Sequence, residues 1–343
     1  MRVPHSQPFF NEEDENILLS TLHEKFVSSG KNAIRLGKLA SKMLGKKWGI
    51  PTQSGTDALT AALLLLDLPP AKRKVLVPSY ICSAPLDAAS QAGFEVVPVD
   101  IDKETMAVSI DKVNAIDDVK VVIGAHLFGI AAPFHGIKRK ILIEDCAQTL
   151  SVGSAGASGM FSICSFYATK LLTTGHGGLL AGDDPGLFEK AASLFRHDKN
   201  EDWKPHFHFM MSDLNAALGI SQIKKLSFFI RERRKIAARY AKALGTVTMT
   251  DCCYSRFPVF SRRRPADDII ESFQSRGVEA KKPVYKPLYK YLGLSDRRFP
   301  NAKWVHEHIV SIPIYPGMEE EKIRFVESLL KENRNELGCR ASA

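Results

Sequence analysis

Six short apolar runs between residues 74 and 182 constrain the fold of this chain more than any other feature of its sequence. They are "KVLVP" (74–78), "EVVPV" (95–99), "VKVVIGAH" (119–126), "KILIEDC" (140–146), "MFSICSF" (160–166) and "GGLLAG" (177–182). Val, Ile and Leu dominate them without clean alternation, the pattern of strands buried on both faces of a mostly parallel sheet. Helix candidates separate the first of them: "GTDALTAALLLLDL" from Gly55, and "SAPLDAASQAG", which stops at Gly93. Such alternation predicts an α/β fold with its ligands where strand C-termini meet loops.

A helical block follows. "DPGLFEKAASLF" opens with Asp184 as N-cap and Pro185 at the first turn, with Leu187, Ala191 and Leu194 on one face. "IRERRKIAARYAKAL" carries Ile236, Tyr240 and Leu244 at helical spacing. After Gly245 the runs shorten to strand-like "TVTMT" (246–250) and "RFPVF" (256–260), with helices expected in "ADDIIESFQSRG" and "EEEKIRFVESLLKEN". A chain of 343 residues exceeds the usual size of one core. The expectation is a large domain over 1–240 and a smaller α+β domain over 241–343.

Several function classes drop out. "ALTAALLLLDL" is too short to span a bilayer and is interrupted by Thr60 and Asp67. The start, "MRVPHSQPFFNEEDEN", has no apolar core of a signal peptide, so a cytoplasmic protein is expected. The 6 cysteines contain no CxxC pair and read as reduced thiols. Histidines in "HFH" (206–208) and "HEH" (306–308) have no Cys or acidic partner at a familiar ligand spacing, so no metal is assigned. Net charge is +9, clustered in "RERRK" (231–235), "SRRR" (261–264) and "DRR" (296–298). These clusters lack interleaved aromatics and read as solvated faces rather than a nucleic-acid surface.

Three motifs carry chemistry. In "QSGTDAL" (53–59), Ser54, Gly55 and Thr56 open an apolar helix, where unpaired N–H groups attract an anion; Ser54 is equally a plain helix cap. In "ILIEDCAQ" (141–148), Glu144 and Asp145 end an apolar strand and Gln148 follows. A carboxylate there is either a hydrogen-bonded structural group or the partner of a cation, whose protonated form it would favour by about 1.4–4 kcal/mol. In "SICSFYATKLLTTGHGG" (162–178), Ser165 and Lys170 bracket a strand end. Partial burial there lowers a lysine's pKa and makes its amine nucleophilic. An anion cradle, a carboxylate and a lysine on one sheet edge are the parts that hold pyridoxal phosphate. His126 in "GAHLFG" sits at another strand end, either lining the pocket or serving the structure.

Taken together, "SGTDAL", "PSYICSAPLDAASQAGFEVVPVDIDKETM", "IEDCAQ", "SFYATKLLTTGHGG" and "MSDLNAALGISQIKKL" resemble the DegT/StrS-type sugar aminotransferases, pyridoxal-phosphate enzymes of fold type I. "KPLYKYLG", "FPNAKW" and "SIPIYPGMEEEKI" extend the resemblance through the C-terminal part. It implies that Lys170 forms a Schiff base with the cofactor, that Asp145 pairs with the ring nitrogen, and that Gln148 contacts the phenolic oxygen. Gly55, Thr56 and Ser165 would hold the phosphate. Where the family stacks an aromatic on the ring, this chain has Cys82, with Tyr80 two residues earlier. The family's "NYRM", whose Asn reaches a neighbouring subunit's phosphate, reads His208, Phe209, Met210 and Met211, and the acid of "TGEGG" is His176. The resemblance implies transfer of an amino group from glutamate to a nucleotide-linked keto-sugar in a homodimer. A sugar dehydratase of the same family replaces the lysine by histidine, so Lys170 favours transamination. Cys82 and His208 raise a non-catalytic, regulatory member as another reading.

Overall fold

The computed structural model describes residues 1–196, 206–249 and 251–339. Two N-terminal helices, α1 (Glu12–His23) and α2 (Lys31–Met43), lead into strand β1 (Trp48–Thr52) and helix α3 (Gly55–Leu64). Then come β2 (Lys74–Pro78), α4 (Ala84–Gln91), β3 (Glu95–Val99), α5 (Ile110–Asn114), β4 (Val121–Ala125), β5 (Ile141–Asp145), β6 (Phe161–Ser165) and β7 (Gly178–Gly182). Each of the six apolar runs therefore forms a strand.

The strands make one sheet in the order β1-β7-β6-β5-β4-β2-β3, parallel except that β7 runs antiparallel to both of its neighbours. Alternate residues of each strand enter opposite cores. Val75, Val77, Ile123, Ile143, Ile163 and Leu180 meet α3 and α4 on one face. On the other, Leu76, Val122 and Leu142 join Val113 of α5, while Cys164 and Leu179 join Leu36 of α2. Coverage of both faces is why the strands lack polar alternation.

Helices α6 (Pro185–Phe195), α7 (Asp213–Lys224) and α8 (Leu226–Leu244) follow. Asp184 caps α6 by accepting the Leu187 N–H, as its sequence predicts. The remaining elements are β8 (Phe257–Ser261), α9 (Ala266–Ser275), α10 (Leu288–Tyr291), α11 (Pro300–His308), β9 (Ile309–Ile312), α12 (Glu320–Glu332) and β10 (Leu337–Gly338). Here β10, β8 and β9 form an antiparallel sheet. Its core takes Ile236, Tyr240 and Leu244 from α8 and Val3 from the N-terminus.

Two expectations are corrected. The segment 246–249 of "TVTMT" forms no strand, and Thr250 lies outside the described residues; Val247 is exposed and the segment pairs with no strand. "RERRK" is not simply a solvated face. Arg233 is buried, and its guanidinium donates to the carbonyls of Tyr254 and Ile314 at 3.1 and 2.7 Å. Arg234 donates to the Cys252 carbonyl at 2.9 Å. The chain folds back on α8 after Gly245, and its open carbonyls need donors that only long cationic side chains reach.

Candidate active site

Pairing of β1 with β7 and of β7 with β6 sets Thr52, Gly178 and Ser165 side by side, although β7 runs the opposite way. The C-terminal ends of β1, β4, β5 and β6 therefore share one sheet edge, and the candidate residues gather there.

The anion cradle lies at the start of α3. Ser54 Oγ accepts the Asp57 N–H at 3.0 Å, so Ser54 is a true helix cap. Gly55 and Thr56, in the first turn, keep N–H groups that no intrahelical carbonyl can take. A Cβ on Gly55 would sit 3.1 Å from Ser165 Cβ and 3.2 Å from the Cys164 carbonyl, so glycine lets the helix start close on the end of β6. Gly178 is tighter still: a Cβ there would lie 2.3 Å from the Ser54 carbonyl.

Asp145 is the last residue of β5. Its Oδ1 accepts the Ala147 N–H at 2.9 Å. Burial raises its carboxyl above the ordinary carboxylate range, and the Ala147 bond, Lys170 and His126 offset only part of that. Lys170 stands in the β6–β7 connection, its backbone N–H donating to the Tyr167 carbonyl at 2.9 Å. Burial lowers its amine, Cys82 and Asp145 act against the lowering, and Arg256 adds to it. Cys82, in the loop after β2, is exposed by area, yet protein crowds its thiol enough that burial is the first cause raising its pKa. Gln148 accepts the Phe128 N–H at 3.0 Å through Oε1, which leaves its amide NH2 to donate.

Lys170, Asp145 and Cys82 thus form one electrostatic cluster, with the Gly55–Ser165 cradle on the same edge. With Gln53, Ser54, His176 and Asn215, His208 lines a cleft of about 900 Å³, and its carbonyl accepts the Gln53 side chain at 2.6 Å. His176 meets the Tyr167 ring edge-on at 5.3 Å.

His126 is structural. Its Nδ1 accepts the Ala132 N–H at 2.9 Å and its Nε2 donates to Glu144 at 2.8 Å. Glu144 also accepts the N–H groups of Gly156, Ser158 and Gly159. Burial opposes its charge, but these bonds outweigh burial and hold its pKa below the ordinary range. Cys146 lies close by. Both His126 nitrogens are engaged, so the trio is a hydrogen-bonded support for the end of β5. His308 Nδ1 is likewise engaged, donating to the Trp304 carbonyl at 2.8 Å.

Sequence reasoning missed Arg256, just before β8. Its guanidinium interacts electrostatically with Cys82, Tyr80 and Lys170. No motif of the large sheet points to it, because the folding of the C-terminal part alone brings it to this edge.

The sequence profile described as the DegT/DnrJ/EryC1/StrS aminotransferase family matches residues 9–331. The chain belongs to this family. Among relatives, the spore coat polysaccharide biosynthesis protein SpsC of Bacillus subtilis is 27% identical over 373 residues, covering 94% of each chain. A putative sugar aminotransferase of Streptococcus pneumoniae, Spr1654, superposes with a TM-score of 0.88 at 20% identity, covering 98% of both chains. The GDP-4-keto-6-deoxy-D-mannose-3-dehydratase of E. coli superposes with a TM-score of 0.86 at 19% identity, covering 96% of this chain and all of that one. These two likenesses are of fold: the seven-stranded sheet with helices on both faces is that of fold type I pyridoxal-phosphate enzymes.

Proposed function

We propose that this member transfers an amino group from an amino acid, glutamate by family resemblance, to a keto-sugar carried on a nucleotide, with pyridoxal phosphate as cofactor. The meeting of Lys170 and Asp145 beside the Gly55–Ser165 cradle carries the reading. The residues fit the cofactor. Burial raises the half-buried Asp145 carboxyl, and a protonated ring nitrogen would be the cationic partner that offsets it. The open amides of Gly55 and Thr56 suit a phosphate at a helix N-terminus. The spare Gln148 NH2 suits a phenolic oxygen.

Bound there, pyridoxal phosphate supplies an electron sink that lets an amino group move from one carbon to another. Lys170 would hold it covalently, and its free Nζ would take the proton from the donor carbon and return one to the acceptor carbon. Burial favours the neutral amine that such a base requires. Asp145 would keep a proton on the ring nitrogen. Cys82, at the position where the family resemblance places a stacking aromatic, would offer the cofactor a small thiol instead.

A second reading, sugar dehydration, comes from the fold shared with the E. coli dehydratase. Lys170 weighs against it. We also propose a homodimer: Phe26, Val27, Ile34 and Met210 are exposed apolar side chains, and Met210 lines the cleft that holds His208. The free cysteines fit a reducing, cytoplasmic setting.

The purified protein loaded with pyridoxal phosphate is expected to show a visible absorbance band that is lost in Lys170→Ala. Glutamate should bleach it, and a panel of nucleotide keto-sugars should contain one that restores it. A colourless wild-type protein that ignores added cofactor sinks the reading; dehydration without amino transfer selects the second. Sedimentation as a fully active monomer overturns the dimer.

A further inference from the structure

Lys170 stands at the middle of a loop, 167–173, that is closed at its neck. Phe166 N–H donates to the Gly177 carbonyl at 2.8 Å, and the Phe166 carbonyl accepts the Thr174 N–H at 2.9 Å. Leu171 and Leu172 bury one side of the loop, while Tyr167 and Thr169 leave the other open to solvent. The neck therefore sets where the Lys170 backbone lies.

Helix α7 meets that neck. Asn215, in its first turn, gives both amide hydrogens to it: Nδ2 donates to the Thr174 carbonyl at 3.1 Å and to the His176 carbonyl at 3.0 Å. Gly219 lies one turn further on the same face, and a Cβ there would come within 2.9 Å of Thr174 Cγ2. Glycine thus lets α7 close on the segment that Asn215 holds. Ser212, the N-cap, decides which way the amide points. Its hydroxyl donates to Asn215 Oδ1 at 3.0 Å, which leaves Nδ2 facing the two carbonyls. In a capping box the third helical residue turns back to the N-cap N–H, usually as glutamate or glutamine. Here it turns outward, and two carbonyl oxygens call for a donor. The same turn of α7 is anchored from behind. Buried Asp213 accepts the N–H groups of Gly30, Asn32 and Ala33 at 2.8, 3.1 and 2.9 Å, at the start of α2.

We infer that Asn215 is a positioning residue for Lys170, steadying the neck of its loop so that the amine stays within reach of Asp145 and the Gly55–Ser165 cradle. This rests on the proposed transamination. There Lys170 Nζ serves the cofactor and, once free, two different carbons, from the end of a flexible four-carbon stem. Such a stem gives no fixed geometry unless its backbone is fixed, and a displacement of about 1 Å can cost on the order of 100-fold in rate. The bonds of Phe166 close the neck; those of Asn215 keep its far side, 174–176, from moving.

Variants of the full chain test this. Asn215→Ala removes both donors through the substitution that helices tolerate best. Asn215→Asp sets a carboxylate against the two carbonyls, and Asn215→Gln keeps the donors on a longer stem. Asp184→Ala, which loses the α6 cap, controls for lost stability alone. In the cofactor-free protein, amide hydrogen exchange across 166–177 should speed up in Asn215→Ala and further in Asn215→Asp. With pyridoxal phosphate bound, the pH midpoint of the visible band should move by about half a unit or more in both. The glutamate half-reaction at saturation should slow roughly 10–100-fold, with half-saturating glutamate changed by less than about threefold. Asn215→Gln should fall between these variants and wild type. Asp184→Ala should lose a similar amount of melting temperature and change neither the band nor the rate. An unchanged band midpoint and saturated rate in Asn215→Ala overturn the inference and leave Asn215 a helix cap, even if exchange rises. A raised half-saturating glutamate at an unchanged saturated rate overturns it as well, because Asn215 would then shape the donor's pocket. A wild type that takes up no cofactor, or reacts with no amino donor, instead defeats the proposed transamination and the inference with it.

Discussion

At residue scale, the site sets opposite demands on neighbouring carboxylates. Glu144 and Asp145 are consecutive on β5, so they face opposite sides of the sheet. Glu144 is saturated by His126 and three backbone N–H groups, whereas Asp145 accepts one. Glu144→Ala should therefore cost about 3 kcal/mol or more, read as a lower urea midpoint, because it leaves the buried His126 N–H and three backbone N–H groups without their acceptor. Asp145→Asn should fold normally and lower the rate of the glutamate half-reaction roughly 10²–10⁴-fold, measured by stopped-flow absorbance. A half-reaction within threefold of wild type would remove Asp145 from the mechanism. "IEDCAQ" showed both acids, but which one was structural depended on the turn at 156–159, which no local pattern reveals.

At element scale, the cradle is an assembly of α3, β6 and β7. A Cβ on Gly178 would meet backbone atoms of Ser54 and Gly55, at 2.3 and 2.6 Å, and backbone cannot rotate aside. Gly178→Ala should cost roughly 1–3 kcal/mol and push α3 away from Ser165. Cofactor affinity, titrated by absorbance, should then fall by about tenfold or more; unchanged affinity would mean that the phosphate is held elsewhere. The helix start and the strand were each legible in sequence, from the Ser-Gly-Thr cap and the apolar run. Their contact was not, since it depends on β7 inserting antiparallel between β1 and β6. Charge patterning misled in the same way. "RERRK" looks solvated on a helical wheel until the chain after Gly245 returns and covers Arg233.

At the scale of the whole molecule, the N-terminus ties into the C-terminal sheet. Val3 bridges Val278, His5 N–H donates to Glu279 at 3.0 Å, and His5 Nε2 pairs with Ser311 at 2.9 Å. Burial, helped by Arg256, Lys281 and Arg233, lowers His5 from 6.5 to about 2; burial, helped by Lys282 and Lys290, lowers His306 to about 4. Both rings stay neutral in the folded protein while the unfolded chain takes up protons below pH 6.5. Their contribution to stability is therefore whole above pH 6.5 and is lost as pH falls, for His306 down to about pH 4 and for His5 further, to about pH 2. Urea midpoints should drop between pH 7 and pH 5, and His5→Gln should flatten that slope; equal slopes in both proteins would show that His5 does not titrate with unfolding. We propose a division between two units near residue 240; the last turns of α8 pack in one cluster with the C-terminal sheet.

The sequence alone determined six of the large sheet's strands, the helix start that can hold an anion, and the lysine and carboxylate at strand ends, because periodicity, capping and burial of charge act over a few residues. Tertiary structure decided which of those residues meet. Three kinds of distant contact made the difference: the antiparallel insertion of β7, the clamp of Arg233 on the returning chain, and the delivery of Arg256 to Lys170 from a segment 86 residues later. Each depends on how separate elements pack, and packing between elements leaves no periodic trace in the chain.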